Sequence, residues 1–153
     1  MIKEGQKAPD FALPSSDGGK VSLKDLKGKT VVLYFYPKDD TPGCTKEACG
    51  FRDSYAALKK KAVVLGVSPD DIASHDRFRA KYKLPFPLLA DADKAVATRF
   101  GAWGEKVLYG KKVVGMIRST FVIDGEGVVR KVFPRVRVDG HAEKVLEAVS
   151  QLD

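Results

Sequence analysis

Cysteine, histidine and tryptophan are scarce in this sequence, whose 153 residues include two cysteines, two histidines and one tryptophan. A structural zinc site needs four closely spaced cysteine or histidine ligands. His75 and His141 stand far from each other and from the cysteines along the chain. A zinc site is therefore not expected, no metal or cofactor is indicated, and each histidine is interpreted as a surface or capping residue.

Long apolar runs are also absent. No stretch approaches the roughly 20 apolar residues that a membrane-spanning helix needs. The N-terminal segment MIKEGQKAPDF lacks the apolar region of a signal peptide. We therefore expect no membrane association and a location in the reducing cytoplasm, where a permanent structural disulfide is unusual. The close spacing of Cys44 and Cys49 then indicates chemistry rather than architecture.

The net charge is +7, which on its own is compatible with an acidic or nucleic-acid partner. The basic residues are dispersed, however, and their longest clusters are residues 59–61 and 111–112. No aromatic residues alternate with a basic stripe. A solvated basic surface is the better interpretation, and nucleic-acid binding is not expected.

The hydrophobic pattern predicts one α/β domain with a mixed sheet, spanning residues 1–153. Residues 31–36 and 62–67 are continuous apolar runs, typical of strands covered on both faces. The amphipathic segment between them predicts a helix and hence a parallel βαβ unit. Beyond residue 106, glycine-containing turns at 110–112 and 125–127 predict two antiparallel hairpins.

The first cysteine lies where the first buried strand gives way to a helix. Thr41 suits the N-cap and Pro42 the first helical position, which makes Cys44 the third helical residue. The apolar stripe then continues through positions 48, 51, 55, 58 and 62. The partial positive charge of a helix N-terminus stabilises a thiolate, the nucleophilic form of cysteine. The alternative is a small buried hydrophobic residue. Asp39-Asp40, just before the helix, is interpreted as turn chemistry and loop charge.

The spacing of the cysteines has a geometric consequence. Five residues along a helix correspond to about 7.5 Å of rise and about 140° of rotation, which places the Cα atoms roughly 8 to 9 Å apart. A disulfide needs Cα atoms within about 7 Å of each other. Cys44 and Cys49 are therefore predicted to bond only if the first turns of the helix unwind.

These residues resemble the peroxiredoxin family. Pro37-x-x-x-Thr41-x-x-Cys44 matches the family's active-site motif, and a second cysteine at Cys49 resembles the bacterioferritin comigratory protein or peroxiredoxin Q subfamily. The segment RSTFVID, which begins at Arg118, is similar to the segment that supplies the active-site arginine. Matches to APDFALPSSDG and DGHAEKVLEAV extend the resemblance over essentially the whole chain.

The resemblance implies a thioredoxin-like fold and a thiol-dependent peroxidase of the atypical two-cysteine type. Cys44 would attack hydrogen peroxide or an organic hydroperoxide and become a sulfenic acid, and Cys49 would resolve it as an intramolecular disulfide. Thioredoxin or a similar dithiol would then reduce that disulfide. Arg118 would favour the thiolate and the leaving oxygen, Thr41 would bond to sulfur or peroxide, and Pro37 would wall the pocket. A monomer is expected, with a dimer possible.

Two other functions are open at this stage. A thioredoxin-like thiol–disulfide oxidoreductase or redox sensor would use the same cysteine pair without peroxidase turnover. The C-x₄-C spacing and Thr41 argue against it, because that chemistry typically uses C-x-x-C. A binding module for nucleic acid would rely on the basic surface. Loss of binding at moderate salt, together with no sequence preference, would mark such binding as incidental.

Overall fold

Strands and helices alternate along the first two thirds of the chain, and strands dominate the rest. The computed structural model describes residues 1–152. The strands are β1 (Ala12–Pro14), β2 (Lys20–Ser22), β3 (Val31–Phe35), β4 (Val63–Ser68), β5 (Leu88–Ala90), β6 (Trp103–Leu108), β7 (Lys111–Met116), β8 (Ser119–Ile123) and β9 (Val129–Phe133). The helices are α1 (Pro42–Asp53), α2 (Tyr55–Leu58), α3 (Ile72–Tyr82), α4 (Ala95–Phe100) and α5 (His141–Ser150).

The central sheet is mixed, as predicted. Its five strands lie in the order β5-β4-β3-β8-β9. Strands β3, β4 and β5 are parallel, whereas β8 runs antiparallel to both β3 and β9. All five residues of β3 are buried, which explains why its sequence is continuously apolar rather than alternating. The β1–β2 and β6–β7 pairs form two separate two-stranded sheets.

Successive side chains of β3 face opposite sides of the sheet and supply two apolar layers. Leu33 and Phe35 belong to the layer that contains α4. Val32 and Tyr34 belong to the other layer, in which α1, α2, α3 and α5 bury their apolar faces. Cys44 is part of this second layer. The first cysteine is thus built into the packed core at the carboxyl end of the central strand.

The structure differs from the predicted pattern at two helices. The apolar stripe that begins at Cys44 is not one helix, because α1 ends at Asp53 and the short α2 returns Leu58 to the core. The sequence predicts a helix over residues 92–100, closed by Gly101 in the C-cap position, but α4 begins at Ala95. The buried carboxylate of Asp91 accepts hydrogen bonds from the N–H groups of Val96 and Ala97, which fixes that later start. The two hairpins and the Gly101 C-cap are confirmed.

No helix in the described part of the chain, residues 1–152, combines the length and the apolar character that crossing a membrane requires.

Candidate active site

Cys44 lies in the first turn of α1, where the sequence predicts it. Thr41 occupies the N-cap position with an extended backbone, and Pro42 is the first helical residue. Cys44 is 1% exposed. The N–H groups of a first helical turn have no acceptors within the helix, so they present partial positive charge to this buried sulfur.

Arg118 contacts the sulfur directly. Its Nη2 donates to Sγ of Cys44 at 3.2 Å. The register pairs Phe35 of β3 with Ser119 of β8, which places the residue before Ser119 beside the loop that leads into α1. A Cβ atom at Gly43 would lie 3.2 Å from this Nη2. The absence of a side chain at Gly43 therefore gives the guanidinium room to approach the sulfur.

Glu47 is a second hydrogen-bond partner of the Arg118 guanidinium, and it was not predicted from the sequence. Its Oε1 accepts from Nη1 of Arg118 at 2.7 Å, and its side chain is only 1% exposed. Its Oε2 has no hydrogen-bond partner within residues 1–152. Burial raises the pKa of this carboxyl to about 7, against the opposing effect of Arg118. The one available signal was its position three residues after Cys44, on the same face of α1.

His141 is buried and follows the N-cap residue Gly140, so its interpretation as a surface or capping residue is wrong. It is the first residue of α5 and is 4% exposed. Its Nε2 lies 2.8 Å from the hydroxyl oxygen of Thr120 and 3.9 Å from Oε2 of Glu47. Burial, Lys144 and Arg118 lower the pKa of His141 to about 4, so the ring is neutral at pH 7. A neutral imidazole therefore borders the free edge of Glu47.

Glu47→Gln is expected to flatten the pH dependence of stability. The folded pKa of about 7 lies above the usual 4.5. Between these values the folded state binds more protons than the unfolded state, so this group's contribution to stability falls as pH rises. The glutamine variant should gain about 2 to 3 kcal/mol relative to wild type between pH 4 and pH 8. Urea unfolding over this range measures the difference, with the exposed Glu147→Gln as control. Parallel curves for wild type and Glu47→Gln would show that Glu47 titrates normally.

Thr41 and Pro37 also lie at the site. The hydroxyl of Thr41 donates to the carbonyl of Lys38 at 2.9 Å. It makes no side-chain cap of α1, so only the backbone role of an N-cap is confirmed. Pro37 and Arg118 line a groove of about 610 Å³. Its other walls come mainly from the β6–β7 hairpin and from Ile117, Arg135 and Val136. The groove therefore reaches Arg118, whereas Cys44 is buried behind it and is not among the lining residues.

Cys49 stands apart from this cluster. It lies on the same helix, is partly buried, and both cysteines are free thiols. The intact helix keeps their Cα atoms roughly 8 to 9 Å apart. The structure thus brings together Cys44 and Arg118 near Pro37 and Thr41, but it does not bring Cys49 to Cys44.

A second polar cluster lies beneath the loop between β3 and α1. Among residues 1–152, Asp39, Asp70 and His75 are the one group with three potential metal-ligand atoms close together. Both Asp39 and His75 are buried. The interpretation of His75 as a surface or capping residue is therefore wrong. Asp39 and Asp40 are turn residues, as predicted, but Asp39 is buried, whereas Asp40 is exposed and has a positive φ of 57°. Both carboxyl oxygens of Asp39 already have protein partners: Tyr36 contacts Oδ1, and Ser74 and His75 contact Oδ2.

A thiol at a helix N-terminus, held by a guanidinium at the end of a central mixed sheet, defines a cysteine-based redox enzyme. Residues 4–132 match the model of the AhpC/TSA family. The chain belongs to this family and, within it, to the peroxiredoxins of the Bcp and peroxiredoxin Q type. The predicted family, thioredoxin-like fold and thiol-peroxidase activity are thereby confirmed.

Similarity to individual relatives extends over nearly the whole chain. A putative peroxiredoxin Bcp of Coxiella burnetii is 56% identical, with 95% of this chain and 97% of the relative covered. Peroxiredoxin Bcp of Bacillus subtilis is 47% identical, with 99% and 97% covered. Among solved structures, the bacterioferritin comigratory protein of Xanthomonas campestris is 42% identical, has a TM-score of 0.87 and covers 93% of this chain and 91% of its own.

Proposed function

We propose that Cys44 is the peroxidatic cysteine of a peroxidase built as one domain, residues 1–153. The observation that carries this proposal is the bond from Arg118 to the Cys44 sulfur. The thiolate attacks the terminal oxygen of a hydroperoxide, so that an S–O bond forms and the O–O bond breaks. Sulfur is oxidised to a sulfenic acid, and the leaving oxygen takes a proton to become water or an alcohol.

Arg118 has two charges to stabilise in this reaction. It favours the thiolate before the attack and then the negative charge that develops on the leaving oxygen. Glu47 supports this role by holding the other end of the guanidinium fork at 2.7 Å. Because a planar fork is fixed at both nitrogens, its orientation does not have to be established during the reaction.

Thr41 and Pro37 have narrower roles. The Thr41 hydroxyl donates its proton to the Lys38 carbonyl oxygen, so its own oxygen remains available to accept a hydrogen bond. This oxygen can accept from the O–H group of the hydroperoxide, but it has no proton to donate to the anionic sulfur. Pro37 has no N–H group and offers an apolar wall to the groove.

The apolar part of the groove supports alkyl hydroperoxides as substrates alongside hydrogen peroxide. Val107, Leu108, Met116, Ile117 and Val136 contribute to its lining. The solved Xanthomonas campestris relative is described for its alkyl peroxide reduction activity. In this proposal the protein is a cytoplasmic monomer, and thioredoxin or a similar dithiol is its reductant.

Cys49 resolves the sulfenic acid in this scheme. Its thiol attacks the Cys44 sulfur, an S–S bond forms and water leaves. With thioredoxin, thioredoxin reductase and NADPH, wild type should oxidise NADPH continuously on addition of hydrogen peroxide or an alkyl hydroperoxide. Cys49→Ser should reduce about one equivalent of peroxide and then stop, unless an external thiol such as that of thioredoxin resolves the sulfenic acid of Cys44. Disulfide exchange by wild type without peroxide consumption would instead support the oxidoreductase alternative.

The resolving step requires α1 to open. We expect amide protection around residues 43–50 to fall in the oxidised wild-type protein, because a bonded Cys44–Cys49 pair does not fit an intact helix. Hydrogen exchange of the reduced and oxidised proteins measures this change, and protection in the central strand β3 serves as the internal reference. Equal protection of residues 43–50 in both states would contradict the unwinding step.

A further inference from the structure

A buried hydrogen-bonded pair anchors the loop between β3 and α1. Asp39 lies in the middle of this loop, two residues after Pro37 and two before Thr41. Its side chain is 3% exposed, and that of His75 on α3 is fully buried. Nδ1 of His75 lies 2.7 Å from Oδ2 of Asp39. The loop that carries Pro37 and Thr41 is thus tied to a helix of the neighbouring βαβ unit.

His75 is held through both ring nitrogens. Besides Asp39, the ring faces the carbonyl oxygen of Leu89, which lies 2.9 Å from Nε2. A carbonyl oxygen only accepts hydrogen bonds, so Nε2 donates to it. Nδ1 forms the second hydrogen bond, with Oδ2 of Asp39 at 2.7 Å.

Two hydroxyl groups also hold the Asp39 side chain. The hydroxyl of Tyr36 donates to Oδ1 at 2.6 Å, and that of Ser74 donates to Oδ2 at 2.8 Å. Burial raises the pKa of Tyr36, so this group stays a neutral donor. The other ionisable group that faces the cluster is Asp70, which accepts from the backbone N–H of Asp39 at 2.8 Å and from Ser68 at 2.6 Å. Asp39 is therefore held through both its side chain and its backbone.

We propose that Asp39 and His75 are positioning residues for the peroxidase reaction, with the hydrogen bond between them fixing the loop of residues 37–41. The inference rests on the proposed function of Cys44, because the loop acts through the pocket walls that surround this sulfur. The anchor lies on α3 and at β5, outside the segment that unwinds for resolution. It therefore keeps Pro37 and Thr41 in place while α1 unwinds.

Two substitutions of His75 separate this role from general stabilisation. The side-chain nitrogen of His75→Asn matches the position of Nδ1 and keeps the bond to Asp39, whereas that of His75→Gln matches Nε2 and keeps the bond to Leu89. Each variant retains one of the two bonds, so similar losses of stability are expected. His75→Gln should lower the rate constant for oxidation of Cys44 by hydrogen peroxide about 10-fold or more, and His75→Asn by less than about 3-fold. Rapid-mixing measurement of the first oxidation reports this constant.

Two outcomes would overturn the proposal: a wild-type rate in His75→Gln, or equal losses in both variants. Failure of wild type itself to react with peroxide would instead reject the proposed function. Nitrogen NMR of the wild-type histidine side chains at pH 7 provides a test that is independent of activity and of variant folding. Nε2 of His75 should carry a proton, because it faces the carbonyl oxygen of Leu89. A His75 ring whose Nε2 carries no proton would overturn the inference.

Discussion

Cys44→Ser is expected to abolish peroxide reduction. A serine hydroxyl stays protonated at neutral pH, so the variant lacks the anionic nucleophile even though the helix N-terminus and Arg118 are still in place. The substitution is close to isosteric, and the serine oxygen accepts hydrogen bonds, so Nη2 of Arg118 keeps an acceptor. Loss of the chemical step without loss of the fold is the expected result.

The measurement for Cys44→Ser is peroxide consumption under single-turnover conditions. Circular dichroism and the unfolding midpoint verify that the variant folds. Cys49→Ser is the matched control, since it removes the other thiol of the same helix and should keep the first oxidation step. Peroxide reduction by Cys44→Ser at the wild-type rate would show that another group is the nucleophile.

Arg118→Met is expected to slow the oxidation of Cys44 by about 10²- to 10³-fold, the effect of removing one donor aimed at a developing oxyanion. Methionine keeps much of the apolar stem but removes both nitrogens that reach Cys44 and Glu47. Arg118→Lys should recover only part of the rate, because one ammonium group does not reproduce a fork that contacts two acceptors.

Arg130→Met is the matched control for Arg118. Arg130 is an exposed arginine on β9 whose Nη1 lies 3.2 Å from Asp124, away from the cysteines. Its loss should leave the oxidation of Cys44 unchanged, since exposed ion pairs contribute little. Rapid-mixing measurements at several peroxide concentrations give the rate constant for each variant. If Arg118→Met had the wild-type rate constant for oxidation of Cys44, the guanidinium would have no role in this step.

The position of Cys44 was predictable because its determinants are local. The N-cap residue Thr41, the helix-starting Pro42 and the apolar stripe lie within a few turns of one another, and the structure confirms the helix start. The parallel strands and the hairpins follow from continuous apolar runs and from glycine turns in the same way. Helix ends were less predictable, because they depend on contacts in the folded structure. The start of α4 is set by hydrogen bonds to the Asp91 carboxylate, and α1 ends at Asp53 although the apolar stripe continues.

The buried charges were not predictable from patterns along the chain. Charged residues are expected on the surface, and only partners distant in sequence make their burial tolerable. Glu47 is buried because Arg118, 71 residues further on, reaches it. His75 is buried against Asp39, 36 residues earlier. Arg118 itself was identified through the resemblance of its segment to a known family, since a lone arginine before a strand is usually a surface ion pair.

The most direct test of the account is to map cysteine oxidation after treatment of the reduced protein with one equivalent of hydrogen peroxide. Peptide mass spectrometry should find a Cys44–Cys49 disulfide in wild type and a sulfenic acid on Cys44 in Cys49→Ser. Oxidation of Cys49 while Cys44 stays reduced, in either protein, would contradict the assignment of Cys44 as the residue that attacks the peroxide.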